Sequence, residues 1–360
     1  MDQTDQLILD MATRLLSDHC GAEVVNQTET GAFPEALGDA VISAGLPLAW
    51  VPEEAGGVGG SLALGFNLIR LAASYAVPVP LADTLVANLV LAESGLDLAD
   101  TWAALVFDGG QLPVVDNGRV QGVISHAPGV ISESLLVVPV ADGGLVRIAT
   151  FAADHLNVEP EESLAGEPRA RVTLENAAPV QLSPVMDSMS DDGLRQFCAL
   201  VRACQMAGAF EKITDLTVGY VKERQQFGRP LGKFQAIQHK VADIAGESAL
   251  SNATVEQAIR VLSEHQEPFN GDDLIFLPVA TAKVVTSEGA ATVSRLAHQA
   301  HGAMGFSFEY PLQQYSRRVW SWREEYGSEF YWSERLGMSV AGELGHADAG
   351  APQVWDIVSR

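Results

Sequence analysis

Cysteine is scarce in this 360-residue chain, with only Cys20, Cys198 and Cys204 present. An odd and widely spaced set cannot build a disulfide framework, and its spacing matches no zinc-ligand pattern. All three read as small apolar core residues, and no metal is expected. Positive charge is also scarce. Lys and Arg together number 22 against 46 Asp and Glu, a net charge of −24. Such a field repels nucleic acid phosphates, which excludes that class of partner. No apolar run reads as long enough to cross a bilayer, so no membrane partner is expected. The opening Met1-Asp2-Gln3-Thr4-Asp5 lacks the basic start of a signal peptide, and a cytoplasmic chain is the simplest expectation.

Hydrophobic residues make up 47% of the chain and charged ones 19%, the balance of a folded protein long enough for two or three packed units. Against the acidic background two basic clusters stand out as candidate anion sites. One holds Lys222, Arg224, Arg229, Lys233 and Lys240; the other holds Arg317, Arg318 and Arg323. Solvated helix faces are the alternative reading of both.

Residues 1–101 read as helical. Leu7, Ile8, Met11, Leu15 and Leu16 recur at helical spacing, and Leu62 to Tyr75 and Thr84 to Glu93 are further helices. Pro52 to Ser61, with four glycines, is a loop. Over 102–185 the pattern becomes short apolar runs separated by Asp108-Gly109-Gly110, Asp116-Asn117-Gly118 and Asp142-Gly143-Gly144, which are strand and hairpin signals. Over 186–360 long helices return at Leu194 to Val221, Gln235 to Glu264 and Leu274 to Ala300, with Pro311 opening a fourth. The expected fold is multidomain α+β: a helical N-terminal domain, a small barrel-like middle β-domain and a C-terminal four-helix bundle.

The densest motif is Glu223-Arg224-Gln225-Gln226-Phe227-Gly228-Arg229-Pro230-Leu231-Gly232-Lys233-Phe234-Gln235-Ala236-Ile237-Gln238-His239. A second is Gln299-Ala300-His301-Gly302-Ala303-Met304-Gly305-Phe306, followed by Glu309-Tyr310-Pro311. With Val51-Pro52-Glu53-Glu54-Ala55-Gly56-Gly57 they resemble the acyl-CoA dehydrogenase family, whose signatures run R-x-x-F-G, F-Q-x-I-Q-H, Q-x-x-G-G-x-G and V-P-E-E-Y-G-G. The resemblance implies FAD as cofactor, an acyl-CoA substrate and an electron-transferring flavoprotein as acceptor. In that family these segments hold the adenosine diphosphate half of a neighbouring subunit's FAD. Carried over, the contacts are Arg224, Gln226, Phe227, Leu231, Phe234, Gln235, Gln299, Gly302 and Ala303, the last standing where the family has a second glycine. The residue types fit such a ligand. A guanidinium forks onto phosphate oxygens, amides bond ribose or phosphate, and glycine permits close approach.

The reaction needs a carboxylate base against a weakly acidic α-proton. The family's Y-E-G-T stretch corresponds to Glu325-Tyr326-Gly327-Ser328, which places Tyr326 at the base position, with Glu324 and Glu325 as alternatives on the same expected helix. Other members carry the base on an earlier bundle helix, near Cys198 here. The family's flavin-ring motifs have only a faint echo in Ser125-His126-Ala127-Pro128-Gly129. This pattern resembles the non-catalytic type of subunit in heteromeric α2β2 bacterial acyl-CoA dehydrogenases, some of which act on steroid side-chain thioesters. A catalytic acyl-CoA dehydrogenase subunit is then the expected partner. A self-sufficient enzyme using Glu325 or Glu324, and a non-enzymatic scaffold, are the alternatives. Trp320, Trp322 and Trp332 read as core or interface aromatics.

Overall fold

A computed structural model describes residues 3–29, 31–265 and 267–345. The far end of the third expected unit therefore lies outside the described residues. The chain opens with α1 (Gln3–His19), α2 (Ala22–Thr28), α3 (Glu35–Ser43), α4 (Leu62–Ser74) and α5 (Leu81–Glu93). Ser61 starts α4: its hydroxyl accepts from the Leu64 N–H at 3.1 Å and donates to Asp5 at 2.7 Å, which ties the cap to α1. Helix α5 is apolar nearly all round and sits in the core, with Leu85, Ala87 and Val90 fully buried.

The middle region is one mixed sheet. Its strands are β1 (Ala103–Leu105), β2 (Val114–Asp116), β3 (Arg119–Pro128), β4 (Leu135–Asp142), β5 (Leu145–Ala152), β6 (Asn157–Glu161), β7 (Arg169–Ala177) and β8 (Gln181–Leu182). The order is β6-β7-β3-β2-β4-β5-β8, with β1 parallel to β4 off that path. The path does not return on itself, so the sheet is not a closed barrel, and the barrel-like expectation is corrected. Asn117-Gly118 and Gly143-Gly144 turn two hairpins with both central residues left-handed, as a two-residue hairpin turn requires. Strands β2, β6 and β8 escape a reading of apolar runs because they are short and none of their residues is buried.

The bundle comprises α6 (Asp191–Glu223), α7 (Gln235–Ser263), α8 (Asp273–His301), α9 (Leu312–Glu324) and α10 (Glu329–Gly345). Between α6 and α7 a small hairpin pairs β9 (Gln225–Gln226) with β10 (Arg229–Pro230). The expected fourth helix is two helices, broken at 325–328. The expectation that no run could cross a membrane is also corrected. The segment Asp273–Phe306 is long and apolar enough by composition. Its apolar residues serve the bundle, where Val279, Ala290, Val293 and Ala297 are fully buried.

Helix α6 meets α4 without an intervening side chain at Gly208, where an added Cβ would lie 2.1 Å from the Arg70 carbonyl oxygen. Backbone cannot move aside as a flexible side chain can. Gly208→Ala is therefore expected to destabilise the protein by ~2 kcal/mol or more, read as a lower urea midpoint at unchanged slope.

Candidate functional site

Several segments, Glu162 to Leu164 and Arg169 among them, meet around a cleft of about 520 Å³. Phe107 and Asp108 follow β1, Ser125 and His126 lie in β3, and Trp320 to Gly327 close α9. A register shift between Ile124 and Ala127 in β3 swings His126 out with φ 54°. Its imidazole and its own N–H both reach the Glu161 carboxylate, at 3.0 and 2.6 Å.

The break after α9 decides the chemistry. Glu325 is extended, Tyr326 has φ 56° and Gly327 has φ 101°. Glu324, Glu325 and Tyr326 therefore do not share a helix, which corrects the expectation. Lys283 holds the break from beneath, its fully buried Nζ, pushed down to about 7 by burial, donating to the carbonyls of Trp322 (3.1 Å) and Arg323 (2.6 Å). These are orphan acceptors at a helix C-terminus, where a cation is favoured. Glu324 turns outward, 3.7 Å from Arg323, while Glu325 and Tyr326 turn in.

Glu325 is not a solvated charge. One carboxylate oxygen accepts from Arg169 at 2.5 Å and the other from Arg202 at 2.7 Å. Arg202 continues to Asp83 at 2.9 Å and to Gln205 at 2.6 Å. Arg169 continues to Glu167 at 3.1 Å, and Glu167 also accepts from the Trp322 indole at 3.0 Å and lies 3.5 Å from Arg318. Arg317 pairs with Glu29. The result is a buried ladder of alternating charges that touches the N-terminal helices, the sheet and the bundle. The second basic cluster is consequently no anion site: Arg317, Arg318 and Arg323 are matched by Glu29, Glu167 and Glu329.

Burial alone would raise the Glu325 carboxyl, but the guanidinium groups of Arg169 and Arg202 outweigh it and hold it down at about 2. With both oxygens so engaged it is a weak base toward a substrate proton. Tyr326 is 5% exposed, and burial with the Cys198 thiol beside it pushes its phenol well above the usual range. Burial likewise pushes the Cys198 thiol to about 12, against the lowering influence of Arg202 and of a hydrogen bond with Tyr326. Both family base positions thus carry protonated, uncharged groups in mutual contact. Toward a flavin ring, whose pyrimidine edge presents mainly acceptors, the cleft sets the carboxylates of Asp108, Glu162 and Glu324 beside the donors of Ser125, Ser163 and Trp320, while Arg169 is committed to carboxylates.

Arg224 lies twenty-two residues beyond Arg202, at the far end of α6, which at 1.5 Å per residue is about 33 Å away. There the hairpin, the start of α7 and the end of α8 come together. Lys240 on α7 donates to the Gln299 side chain at 2.7 Å, leaving that amide's N–H groups for a ligand. Arg224, Gln226 and Gln235 are exposed, and Phe227 is 90% exposed with φ 52°. Phe227 packs edge-on against Phe234, and the Arg229 guanidinium covers the Phe234 ring at 4.2 Å. Leu231 and Phe234 are half-buried, and Leu231 N–H donates to the Arg224 carbonyl at 2.8 Å. Gly302 adopts φ 62°, ψ −141°, a region open only to glycine, and Ala303 beside it is exposed. This tip suits a phosphate-bearing ligand: an exposed guanidinium, free amide donors and glycine backbone within one basic patch.

The sequence reading missed the ladder. Its one signal was Arg202, a lone charge inside the apolar run Phe197 to Phe210; its partners come from positions as far apart as Asp83 and Glu325. Of the tryptophans, Trp322 and Trp332 are core residues, while Trp320 lines the cleft under the Arg323 guanidinium.

Glu325→Gln should destabilise the protein by ~3 kcal/mol at neutral pH, because Arg169 and Arg202 keep their charges without a full partner. Glu325 is lowered from 4.5 to about 2 on folding. Its stabilisation is therefore complete above pH 4.5 and is lost as pH falls toward 2. Denaturant titrations at successive pH values should show that share of the acid-side decline missing in the variant.

The model of the acyl-CoA dehydrogenase C-terminal domain matches residues 197–329. The acyl-CoA dehydrogenase IpdE2 of Mycolicibacterium smegmatis is 26% identical over 325 residues, spanning 89% of this chain and 93% of the relative. IpdE2 of Mycobacterium tuberculosis is 28% identical, spanning 87% and 90%. Among solved structures, the ChsE4–ChsE5 complex of Mycobacterium tuberculosis superposes with a TM-score of 0.82 at 19% identity, covering 97% of this chain and 99% of that one. The Tcur3481–Tcur3483 steroid ACAD superposes at 0.81 and 24%, covering 95% and 98%.

Proposed function

As the chain belongs to the acyl-CoA dehydrogenase family, we propose that it is a subunit of a heteromeric enzyme, completing the FAD site of a catalytic partner and performing no dehydrogenation itself. The observation that carries this is the Arg169–Glu325–Arg202 bridge. It occupies Glu325, the carboxylate beside the base position that turns inward, while Tyr326 fills that position with a protonated phenol.

The other end of α6 supports the constructive half of the reading. Arg224 binds the pyrophosphate of the partner's FAD through paired N–H groups, and Gln226, Gln235 and Gln299 bond ribose or phosphate. Phe227, Leu231 and Phe234 give an apolar wall, and Gly302 with Ala303 lets backbone approach the cofactor. FAD, when bound, accepts the hydride from the β-carbon of an acyl-CoA held by the partner. The basic tip also draws an anionic cofactor toward a chain whose overall field would repel it. Two fold neighbours are a two-component complex and an assembly named a steroid ACAD. By analogy with them the acyl group is a steroid side-chain thioester.

A homo-oligomeric enzyme relying on Glu325 or Glu324 is disfavoured, since the first is locked between two arginines and the second points to solvent. The test is flavin content. Purified alone, the chain should carry little FAD and turn over no acyl-CoA. Co-purified with its partner through a tag on this chain, it should carry stoichiometric FAD. In that complex Arg224→Ala should weaken FAD binding about 10- to 100-fold, the worth of a charged phosphate contact, with the loss shrinking in high salt. Full flavin loading and turnover by the isolated chain would sink the proposal. Intact assembly with no flavin effect of Arg224→Ala would favour a scaffold.

A further inference from the structure

The two halves of the proposed flavin half-site come from segments far apart in sequence, and a group between them must set their spacing. We infer that Tyr220 is that positioning residue, an inference that rests on reading the tip as part of a partner's FAD site. Its backbone carbonyl accepts the Arg224 N–H at 2.8 Å, which fixes where α6 ends and where the Arg224 side chain departs. Its phenol donates to the carbonyl of His301, the residue immediately before Gly302, at 3.2 Å. One residue is therefore bonded to both segments.

The ring makes the contact rigid. Tyr220 stacks on the His301 imidazole, with centroids 4.4 Å apart, and meets Tyr310 edge-on at 5.7 Å. Tyr310 lies 5.0 Å from His301, and its hydroxyl donates to the Leu216 carbonyl one helical turn before Tyr220 at 3.2 Å. His301 is 3% exposed, and its Nδ1 sits 2.8 Å from the Ala297 carbonyl. The three rings thus join the ends of α6 and α8 to the start of α9. Beyond them the 302–306 turn is pinned by His298, which stacks on Phe306 at 4.2 Å and reaches the Ser316 hydroxyl at 2.9 Å. None of the three rings belongs to the expected set of cofactor contacts. Their effect on a ligand passes through the backbone of Arg224 and Gly302. For a pyrophosphate, a shift of a few tenths of an ångström there lengthens charge-assisted bonds on one side of the ligand.

The test compares Tyr220→Phe with Tyr315→Phe, each in the complex co-purified through this chain. Tyr315 is a matched control: its hydroxyl donates to the Ser74 carbonyl at 3.1 Å within the core, away from the tip. Tyr220→Phe should weaken FAD binding about 3- to 10-fold, the worth of one hydrogen bond. Tyr315→Phe should lower the thermal midpoint comparably yet keep wild-type FAD affinity. In the isolated full chain, amide exchange at 302–306 should quicken in Tyr220→Phe and not in the control. Wild-type FAD affinity together with unchanged exchange in Tyr220→Phe would overturn the inference, as would equal FAD losses in both variants. If the wild-type complex binds no FAD while exchange at 302–306 still quickens, the half-site reading fails and the spacing role of Tyr220 stands.

Discussion

The Glu325 carboxylate, held on both oxygens by Arg169 and Arg202, is the contact on which the rest of the molecule depends. Each arginine arrives from a different part of the chain, Arg169 from the first residue of β7 and Arg202 from the middle of α6. Through Asp83, Glu167, Arg318, Glu29 and Arg317 the same alternation reaches α5, α9 and the end of α2. Four acids face four bases, so the charges of the ladder balance in number, a condition that favours tolerance of buried ions. The geometry is demanding. Glu325 meets its two guanidinium groups at the break after α9, which Lys283 and the left-handed Tyr326 shape.

A carboxylate used in this way is lost to proton abstraction. A general base needs a free lone pair and an affinity for protons near the working pH. The bridge engages both oxygens and, with two guanidinium groups, holds the proton affinity far below that range. Behind the cleft the Tyr326 phenol meets the buried Cys198 thiol, and the carboxylates of Asp108, Glu162 and Glu324 line the cleft itself. The groups that suit a phosphate-bearing ligand lie exposed at the opposite end of α6. The length of that one helix separates the paired charges of the interior from a basic tip open to solvent.

Electrostatics acts on two scales. At long range the −24 net charge discourages anions everywhere. At contact range Arg224, Arg229, Lys233 and Lys240 reverse that field over one small patch. Neighbouring acids neutralise the other basic cluster. Charge counted along a sequence cannot separate these two cases, because the partners Glu29, Glu167 and Glu329 come from three separate stretches of the chain.

The sequence by itself carried the resemblance to the acyl-CoA dehydrogenase family, the order of helices, sheet and bundle, and the Arg224 and Gln299 motifs. These follow from short-range signals: helical periodicity, hairpin glycines and contiguous motif residues. The resemblance also placed Tyr326 where the family has a carboxylate. Only the tertiary structure decided the fate of Glu324 and Glu325. On one continuous helix they would differ by a rotation of about 100°, but the break sends one to solvent and the other into the ladder. It likewise decided that the sheet stays open and that Arg202 has partners at Asp83 and Glu325, more than a hundred residues away on either side. Hydrophobic and propensity patterns are local, whereas a buried charge is acceptable only where distant chain segments converge to match it, and that convergence exists only in the fold.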